Sequence, residues 1–317
     1  MPQIVTLTMN PALDIATATE VVRPTHKLRC EEPLYDPGGG GINVARAIHR
    51  LGGDALAVFP VGGLSGERLC QLLQAEGVRH IPIPISGVTR ESFAVVERRS
   101  GDQYRLILPG PHLTEAEQER CLEALAAHLR DGTYLVASGS LPPGVPDDFY
   151  RRVGDLARRC ATRFVLDTSG AALTAAGDGI SLLKTSLSEL EELAGTPLLA
   201  AAAQETAARD IVAKGQAEAL VLSLGASGAL LVTEQEVQRF AAIQVDAVGS
   251  VGAGDSMLGG IVFALASGWS RMDAVRFGMA AGAAALLRPG TGLCDRDETE
   301  RLYRSAMHTQ FPVRTIP

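Results

Sequence analysis

Short runs of aliphatic and β-branched residues alternate with helical patterns along most of the 317 residues. A strand predicted at 3–9 is followed, after a polar stretch, by a helix at 42–51 in which Ile42, Ala45, Ile48 and Leu51 form one apolar stripe. Further strands are predicted at 55–61, 134–138, 163–167, 180–184 and 219–224. This alternation is typical of βα units, which build a parallel sheet.

Capping signals mark the ends of several helices. Thr114 and Glu117 have the spacing of a capping box and predict a helix from there to about residue 129. Gly77 is expected to end the helix predicted at 67–76 in a left-handed conformation. The remaining helices are predicted at 147–160, 188–194, 201–214, 255–267, 272–287 and 297–307.

Two stretches in the first third of the chain interrupt this order. Residues 16–35 show strand-like alternation through 26–29, and residues 91–108 hold two alternating strands joined by a hairpin at Ser100-Gly101-Asp102. Neither stretch belongs to a βα unit. We expect a small β lid made of residues 16–36 and 90–108, inserted in a main domain of residues 1–15, 37–89 and 109–317.

Composition excludes several classes of protein. The formal net charge of −7 argues against a general nucleic-acid binder, because such proteins present a basic face. No membrane partner is expected, since the apolar runs are shorter than the ~20 residues of a membrane span and the N-terminus lacks a signal-peptide pattern. The five cysteines form no C-x-x-C pair, which favours reduced thiols and a cytoplasmic protein.

The strongest local feature is the glycine-rich segment Gly249–Asp255, which follows a strand-like stretch and opens a helix. Glycines in such a place let backbone N–H groups converge on an anion, and the helix dipole favours negative charge there. A carboxylate beside such a cradle is unexpected. Asp255 either caps the helix or acts as a general base toward a hydroxyl while a phosphoryl group is held in line.

A second glycine run, Gly38–Gly41, also leads into a helix. Four consecutive glycines have a large entropic cost unless a close ligand approach or a positive φ angle requires them. Asn43, in the first turn of that helix, is suited to bind a sugar hydroxyl. Neither glycine loop fits the P-loop or G-x-G-x-x-G pattern, so a P-loop NTPase and a Rossmann dinucleotide-binding protein are both excluded.

The two loops resemble the signatures of the ribokinase-like, or PfkB, family of sugar kinases: Gly38–Ala45 resembles the N-terminal signature and Gly252–Asp255 the G-A-G-D signature. Segments 6–14, 27–29, 103–105, 138–144 and 223–225 resemble those of its bacterial ATP-dependent 6-phosphofructokinase branch, in the same order. The resemblance covers nearly the whole chain. It implies a ribokinase-like, doubly wound, mainly parallel sheet with helices on both faces, and a homodimer through the lid.

The resemblance also implies site residues. Asp255 would be the base, and the anion hole would consist of the amides of Gly252, Ala253 and Gly254. The sugar would be held by Asp14, Gly38, Gly39, Asn43 and Ser138. ATP would contact Lys184, Ser186 and the loop containing Ser223, Gly225 and Gly228. Glu189 would act on Mg²⁺ through water.

Four basic residues in or beside the predicted lid indicate the substrate class. Lys27 and Arg29 are two residues apart in a predicted strand and therefore share a face. Arg90 and Arg105 complete the set. Each residue alone suits a solvated surface charge, but together they favour a pocket for a phosphate dianion. This set predicts a sugar phosphate rather than a neutral sugar.

We therefore expect ATP-dependent phosphorylation of fructose 6-phosphate at its free primary hydroxyl. The motifs do not specify the stereochemistry of the sugar, so tagatose-6-phosphate kinase and 1-phosphofructokinase activities remain alternatives. A non-catalytic sensor of sugar phosphate or nucleotide is a third alternative, which the presence of Asp255 disfavours.

Three positions depart from the pattern of the family. Ser186 stands where relatives usually carry an Asn three residues before the Glu, and it either approaches the metal side or caps the helix that starts there. Gly249 and Arg288 replace small polar residues beside the K⁺ site of relatives. The Arg288 guanidinium is predicted to take the place of K⁺ in part; the alternative is an Arg288 that points to solvent.

Overall fold

The computed structural model describes residues 3–249, 251–288 and 292–310. The chain divides into two compact units. The N-terminal unit comprises Ile4–Ala45 and Asp54–Gly177, and the C-terminal unit comprises Met1–Gln3, Arg46–Gly53 and Asp178–Pro317. Within the described residues, no helix has the length and apolar character needed to cross a bilayer.

The first unit holds the predicted parallel sheet. Its elements are β1 (Ile4–Leu7), β2 (Ala12–Thr19), β3 (Leu34–Gly38), α1 (Gly40–Arg50, shared with the second unit), β4 (Ala55–Val61), α2 (Gly63–Ala75), β5 (Arg79–Pro84), β6 (Arg90–Glu97), β7 (Gln103–Ile107), α3 (Glu115–Ala126), β8 (Tyr134–Ser138), α4 (Phe149–Arg159), β9 (Arg163–Asp167) and α5 (Gly170–Thr174). Five strands lie in the order β9-β8-β1-β4-β5, all parallel. Every residue of β1, β4 and β8 is buried, as expected for a sheet covered on both faces.

A separate four-stranded sheet has the order β3-β2-β6-β7. Strand β2 runs parallel to β6 and antiparallel to β3, and β6 and β7 form a hairpin. Gly101 has a φ angle of 80° in the turn of this hairpin. The small second sheet and its hairpin are therefore confirmed, although strands β2 and β3 reach outside the predicted segment 16–36, to Ala12 and Gly38.

The strand predicted through 26–29 is wrong. Residues 20–33 form a loop between β2 and β3, in which Thr25 has a φ angle of 63°, a left-handed conformation that interrupts a strand. The loop is tied back to β2, because the Thr19 hydroxyl donates to the Arg29 carbonyl at 3.2 Å. Lys27 and Arg29 are both exposed and do not share a strand face.

The second unit contains β10 (Leu182–Ser186), α6 (Leu187–Ala194), α7 (Ala201–Ala213), β11 (Ala219–Ser223), β12 (Ala229–Thr233), β13 (Val237–Phe240), α8 (Ala253–Ala266), α9 (Arg271–Leu286) and α10 (Arg296–Gln310). Strands β10 and β11 are parallel, and β12 and β13 add antiparallel to β11. The three closing helices are confirmed, whereas the hairpin β12–β13 has no counterpart in the sequence prediction. Short apolar runs of this kind do not by themselves distinguish strand from buried helix.

The predicted capping signals are confirmed. The Thr114 hydroxyl accepts from the Glu117 amide, and the Glu117 carboxylate accepts from the Thr114 amide at 2.8 Å. Gly77 follows α2 with a φ angle of 76°. Helix α2 begins at Gly63, earlier than predicted. The predicted mainly parallel α/β fold with a small second sheet is thus present.

Candidate active site

The first glycine run is enclosed by polar side chains of the N-terminal unit. A Cβ atom on Gly38 would lie 2.2 Å from Asp14 Oδ2, and one on Gly40 would lie 2.3 Å from Ser138 Oγ. Gly39 has a φ angle of 113°, which side chains rarely adopt. Close approach and positive φ, the two reasons expected for consecutive glycines, therefore both occur in this run.

Helix α1 places Asn43 next to this run. The Ile42 amide donates to the Thr8 hydroxyl at 2.7 Å, and the Asn43 amide donates to the Gly39 carbonyl at 2.8 Å. The Asn43 side chain is buried in the first turn of the helix. Asp14, Ser138 and Asn43 thus surround the glycine backbone, and these groups can exchange hydrogen bonds with sugar hydroxyls.

Strand register places two arginines on the face of the second sheet that carries Asp14. Arg90 pairs with Ala12, which lies two residues before Asp14 on β2. Arg105 pairs with Ala94, whose partner on β2 lies two residues after Asp14. Each set of paired residues across the strands forms one row. Side chains two residues apart along a strand point the same way, so each arginine row is about 7 Å from the Asp14 row. Arg105 is exposed.

The Arg90 guanidinium also makes structural hydrogen bonds. Its Nη2 donates to the Asn10 carbonyl at 3.0 Å and its Nη1 to the Leu108 carbonyl at 3.2 Å. Burial lowers the pKa of Arg90, and the Asp14 charge opposes that shift. Two backbone carbonyls therefore orient the Arg90 guanidinium beside Asp14. Arg90 is thus not merely a solvated charge on the second sheet.

The second glycine loop opens helix α8 in the C-terminal unit. Gly252 is the N-cap residue, with a φ angle of 80°, and Asp255 lies in the first helical turn. The N–H groups at the start of a helix have no acceptor within it, so the amides of Gly252, Ala253 and Gly254 are donors suited to an anion. Asp255 is the third residue of the helix, and the N-cap residue is Gly252.

Lys184 lies beside this helix start. It is buried on β10, and its Nζ atom is 3.3 Å from the position of a Cβ atom on Gly254. An ammonium group at the positive end of a helix dipole is favourable only when negative charge is near it. The two features together suit the binding of phosphate groups.

An apolar cavity of about 260 Å³ adjoins the same helix start. The predicted residues Ser223, Gly225 and Gly228 line it together with Ala253 and Gly254. Its size and lining suit a flat, largely apolar group such as a nucleotide base.

Several residues that line this cavity were missed by the sequence analysis: Ala242, Ile243, Met257, Met279, Gly282, Ala283 and Leu286. Met279, Gly282, Ala283 and Leu286 follow i, i+3, i+4, i+7 spacing on α9, which is also the signature of a core-facing stripe. The spacing was visible in the sequence, but it does not separate a ligand-facing stripe from a buried one.

Ser186 caps helix α6. Its hydroxyl accepts from the Glu189 amide, and Glu189 Oε2 accepts from the Ser186 amide at 2.7 Å and from the Thr185 hydroxyl at 3.2 Å. Ser223 lies next to them, because its hydroxyl donates to the Thr185 carbonyl at 3.1 Å. Of the two roles considered for Ser186, capping is therefore the one observed.

The residues near Glu189 fit the Mg²⁺ ion that the family resemblance implies. Mg²⁺ usually keeps several waters and is held by one or two carboxylates plus substrate phosphates. Glu189 is one carboxylate in the first turn of α6, which directly follows the strand β10 that carries Lys184. Among the described residues, no group of three or more His, Cys, Asp or Glu side chains could hold a metal by itself.

Arg288 forms an ion pair with Asp295, and its side chain is about half exposed. The Gly249 amide donates to the Leu286 carbonyl at 3.1 Å, close to the end of α9. Residues 289–291 and Ser250, which belong to the two segments of the predicted K⁺ site, lie outside the described residues.

Comparisons with known proteins show the family to which this chain is similar. A family model described as pfkB family carbohydrate kinase matches residues 7–298. An ATP-dependent 6-phosphofructokinase isozyme 2 of Mycobacterium tuberculosis (strain ATCC 25618 / H37Rv) is 53% identical over 305 residues, which span 96% of this chain and 90% of that protein. Its namesake from Escherichia coli (strain K12) is 43% identical over 305 residues, spanning 96% and 98%.

Crystal structures of phosphofructokinase-2 from Escherichia coli are also similar to this chain. The complex with fructose-6-phosphate has a TM-score of 0.91 at 41% identity and covers 97% of this chain and 100% of that one. The complex with potassium has a TM-score of 0.92, and a further structure of that protein is its tetrameric inhibited form. The fold is thus the ribokinase-like one that the motifs predicted, and the chain belongs to the pfkB family of carbohydrate kinases.

Proposed function

We propose that this kinase transfers the γ-phosphoryl group of ATP to the free primary hydroxyl of fructose 6-phosphate, which yields fructose 1,6-bisphosphate and ADP. The observation that carries the proposal is the sheet face on which Asp14 stands between the rows of Arg90 and Arg105. A carboxylate suits sugar hydroxyls and guanidinium groups suit a phosphate. A neutral sugar would make no use of the two cations.

Asp255 is the proposed general base. It would accept the proton of the acceptor hydroxyl while the oxygen forms its bond to the γ-phosphorus and the bond from that phosphorus to ADP breaks. The amides of Gly252, Ala253 and Gly254 would donate to the transferring phosphoryl oxygens. Preorganised donors of this kind stabilise the charge of the transition state.

The C-terminal unit would bind ATP. The cavity lined by Ser223, Gly225 and Gly228 would receive the base, and Lys184 would contact the phosphates. Glu189 would hold Mg²⁺ through its hydration water, with Ser186 supporting the carboxylate by its amide. Bound Mg²⁺ neutralises phosphate charge during transfer.

On the sugar side, Gly38, Gly39, Asn43 and Ser138 would complete the hydroxyl contacts of Asp14. Lys27 and Arg29 would add positive charge from the exposed loop of the second sheet. Because both substrates are metabolites of the cell interior, we place the enzyme in the cytoplasm.

A comparison of acceptors tests this function. Purified protein is supplied with ATP, Mg²⁺ and one of fructose 6-phosphate, tagatose 6-phosphate or fructose 1-phosphate, and ADP release is coupled to NADH oxidation. We expect the highest kcat/KM with fructose 6-phosphate, and ³¹P NMR should identify the bisphosphate. A clear preference for either other sugar phosphate would replace the proposed substrate, and tight binding without turnover would favour the sensor.

The second sheet is also the proposed dimer surface. Leu34 and Ile107 are 67% and 54% exposed on the sheet face that carries Asp14, which is unusual for large apolar side chains in one small sheet. A second copy of the chain would cover these two side chains and form a homodimer. Leu34→Asp should shift the sedimentation coefficient from dimer to monomer, whereas a wild-type monomer at micromolar concentration would refute the proposal.

We further propose that Arg288 reduces the need for K⁺. A fixed guanidinium near the end of α9 would repel a monovalent cation, and Asp295 keeps it in place. Activity should therefore change little between NaCl and KCl at equal ionic strength. A many-fold activation by K⁺ would contradict this role, and Arg288→Asn should introduce such activation.

A further inference from the structure

Asn10 lies in the connection between β1 and β2, and its side chain is buried, with 7% exposed. Its Nδ2 donates to the Ser140 hydroxyl at 3.2 Å. Its Oδ1 points toward Gly110, where a Cβ atom would lie only 2.1 Å away. The amide is therefore held between the loop that follows β8 and the loop that follows β7.

The backbone of Asn10 adds a third connection. Its carbonyl accepts from Arg90 Nη2 at 3.0 Å, while Arg90 Nη1 donates to the Leu108 carbonyl at 3.2 Å. Arg90 is the first residue of β6, and Leu108 directly follows β7. The residues before β2, at the start of β6 and after the end of β7 are thus joined through Asn10 and Arg90.

Two buried polar atoms of this network have no hydrogen-bond partner among the described residues: the acceptor Asn10 Oδ1 and the donor Arg90 Nε. Buried polar groups without partners are costly and few in native proteins. An apolar residue of similar shape at position 10 would avoid the unpaired acceptor. Position 10 nevertheless carries the polar amide of Asn10, next to the Arg90 guanidinium on the sheet face that carries Asp14.

We propose that Asn10 is a positioning residue for the sugar phosphate, an inference that rests on the proposed function. Its amide fixes the loop of Ser140, and its carbonyl fixes the guanidinium of Arg90. The hydroxyl-binding Ser138, two residues before Ser140, and the phosphate-binding Arg90 are thereby held at a constant separation. A substrate that presents hydroxyls and a phosphate at a fixed distance requires such a constraint.

Asn10→Ala removes the amide and leaves the backbone carbonyl less well held. We expect the KM for fructose 6-phosphate to rise at least tenfold, while the KM for ATP stays within twofold. A merely structural role would lower the melting temperature and affect both substrates alike. Ser140→Ala removes the acceptor of the same hydrogen bond and should reproduce the change in sugar-phosphate KM.

The double variant Asn10→Ala/Ser140→Ala should be no worse than the more impaired single variant, because both changes break one hydrogen bond. Thr162→Val is the matched control. Thr162 is a buried residue whose hydroxyl donates to the Arg130 carbonyl, and it precedes β9, which lies two strands away from β1 in the sheet. This control should lose stability without any change in either KM.

A variant that fails to fold does not end the test, because Ser140 is exposed and Ser140→Ala should fold normally. An unchanged sugar-phosphate KM in Ser140→Ala, or equal rises in both KM values in Asn10→Ala, would overturn the proposal. Calorimetric binding of fructose 6-phosphate to the same variants separates this inference from the proposed function. Wild-type binding without turnover refutes the function alone, whereas undiminished binding by Asn10→Ala refutes the positioning role.

Discussion

The Nζ atom of Lys184 lies 3.3 Å from the point where a Cβ atom on Gly254 would be. Gly254 has ordinary helical geometry in the first turn of α8, so an alanine fits the backbone and favours the helix by up to about 1 kcal/mol. The new methyl group would, however, displace the Lys184 ammonium and narrow the phosphate cradle. Stability and activity should therefore change in opposite directions.

We accordingly expect Gly254→Ala to keep or raise the melting temperature and to lower kcat at saturating ATP. Thermal unfolding followed by circular dichroism, together with steady-state kinetics, measures both quantities. Gly259→Ala, a buried glycine farther along α8, is the comparison for packing effects alone. Full activity in Gly254→Ala would place the transferring phosphoryl group elsewhere.

Asp255→Asn tests the general base. Because Gly252 is the N-cap residue, helix α8 should persist without the carboxylate. Loss of a general base typically lowers rates by about 10²–10⁴-fold. We expect a fall of that size in kcat, measured by ADP release, with little change in the affinity for either substrate measured by calorimetry.

Helix α9 supplies the matched control for this substitution. Asp273 occupies the corresponding position in its first turn, where its amide donates to the capping hydroxyl of Ser270 at 3.1 Å. Asp273→Asn should weaken a helix start by less than about 1 kcal/mol and leave kcat unchanged. Equal losses of kcat in both variants would assign Asp255 a structural role only.

The two arginines beside Asp14 should respond differently to truncation. Arg105 is exposed and makes its proposed contact only with substrate, so Arg105→Ala should raise the KM for fructose 6-phosphate about ten- to a hundredfold, the effect of one charged hydrogen bond. Arg90→Ala should have the same effect and also lower the melting temperature, because two backbone carbonyls lose their donors. Steady-state kinetics with each substrate varied and thermal unfolding check this pair, and equal KM increases for ATP would indicate general damage.

The glycine loops could be predicted from the sequence because four consecutive glycines are themselves a visible pattern. Gly39 needs a positive φ angle, which is a property of its own backbone, and Gly38 needs room for Asp14, which lies in the separate segment 6–14. The sheet and helix order was equally accessible, since a buried parallel strand such as β4 is a continuous apolar run. These features follow from short-range patterns.

The remaining features depend on contacts distant in sequence. The loop at 26–29 alternates like a strand, but its neighbours β2 and β3 pair with each other and leave it no partner strand. The structural hydrogen bonds of Arg90 could not be predicted from the sequence, because only the second sheet brings the carbonyl acceptors of Asn10 and Leu108 close to it. Likewise, the stripe of Met279 and Leu286 faces a cavity rather than the core for reasons of tertiary packing.

Ser186 stands where relatives usually carry an Asn, and this difference should affect the free Mg²⁺ concentration needed for activity. Asn caps helices as well as Ser, so Ser186→Asn should preserve α6 while adding a carbonyl oxygen beside Glu189. We expect half-maximal activity at lower free Mg²⁺ in Ser186→Asn and at higher free Mg²⁺ in Glu189→Gln, with ATP saturating. Ser186→Thr retains the cap without the carbonyl and should match the wild type. An unchanged requirement in Ser186→Asn would show that position 186 serves the helix alone.

Acid stability should depend on Glu117. Burial alone would raise the pKa of this carboxyl, but hydrogen bonds from the amides and hydroxyls of Ser86 and Thr114 lower it to about 2, from 4.5. Because the folded pKa is the lower one, the stabilisation is complete above pH 4.5 and is lost progressively as the pH falls toward 2. Its upper limit is about 3 kcal/mol, since one pKa unit corresponds to about 1.4 kcal/mol.

Glu117→Gln should therefore lower the free energy of unfolding at pH 7 and flatten its decline between pH 5 and pH 3, as measured by urea unfolding at each pH. The same measurement on Glu115→Gln provides the control, because Glu115 is an exposed glutamate in the same helical turn. Since Ser86 lies in the connection that leads to β6, the loss should also loosen the entry to the second sheet. Parallel pH profiles for Glu117→Gln and the wild type would mean that other carboxylates control acid unfolding.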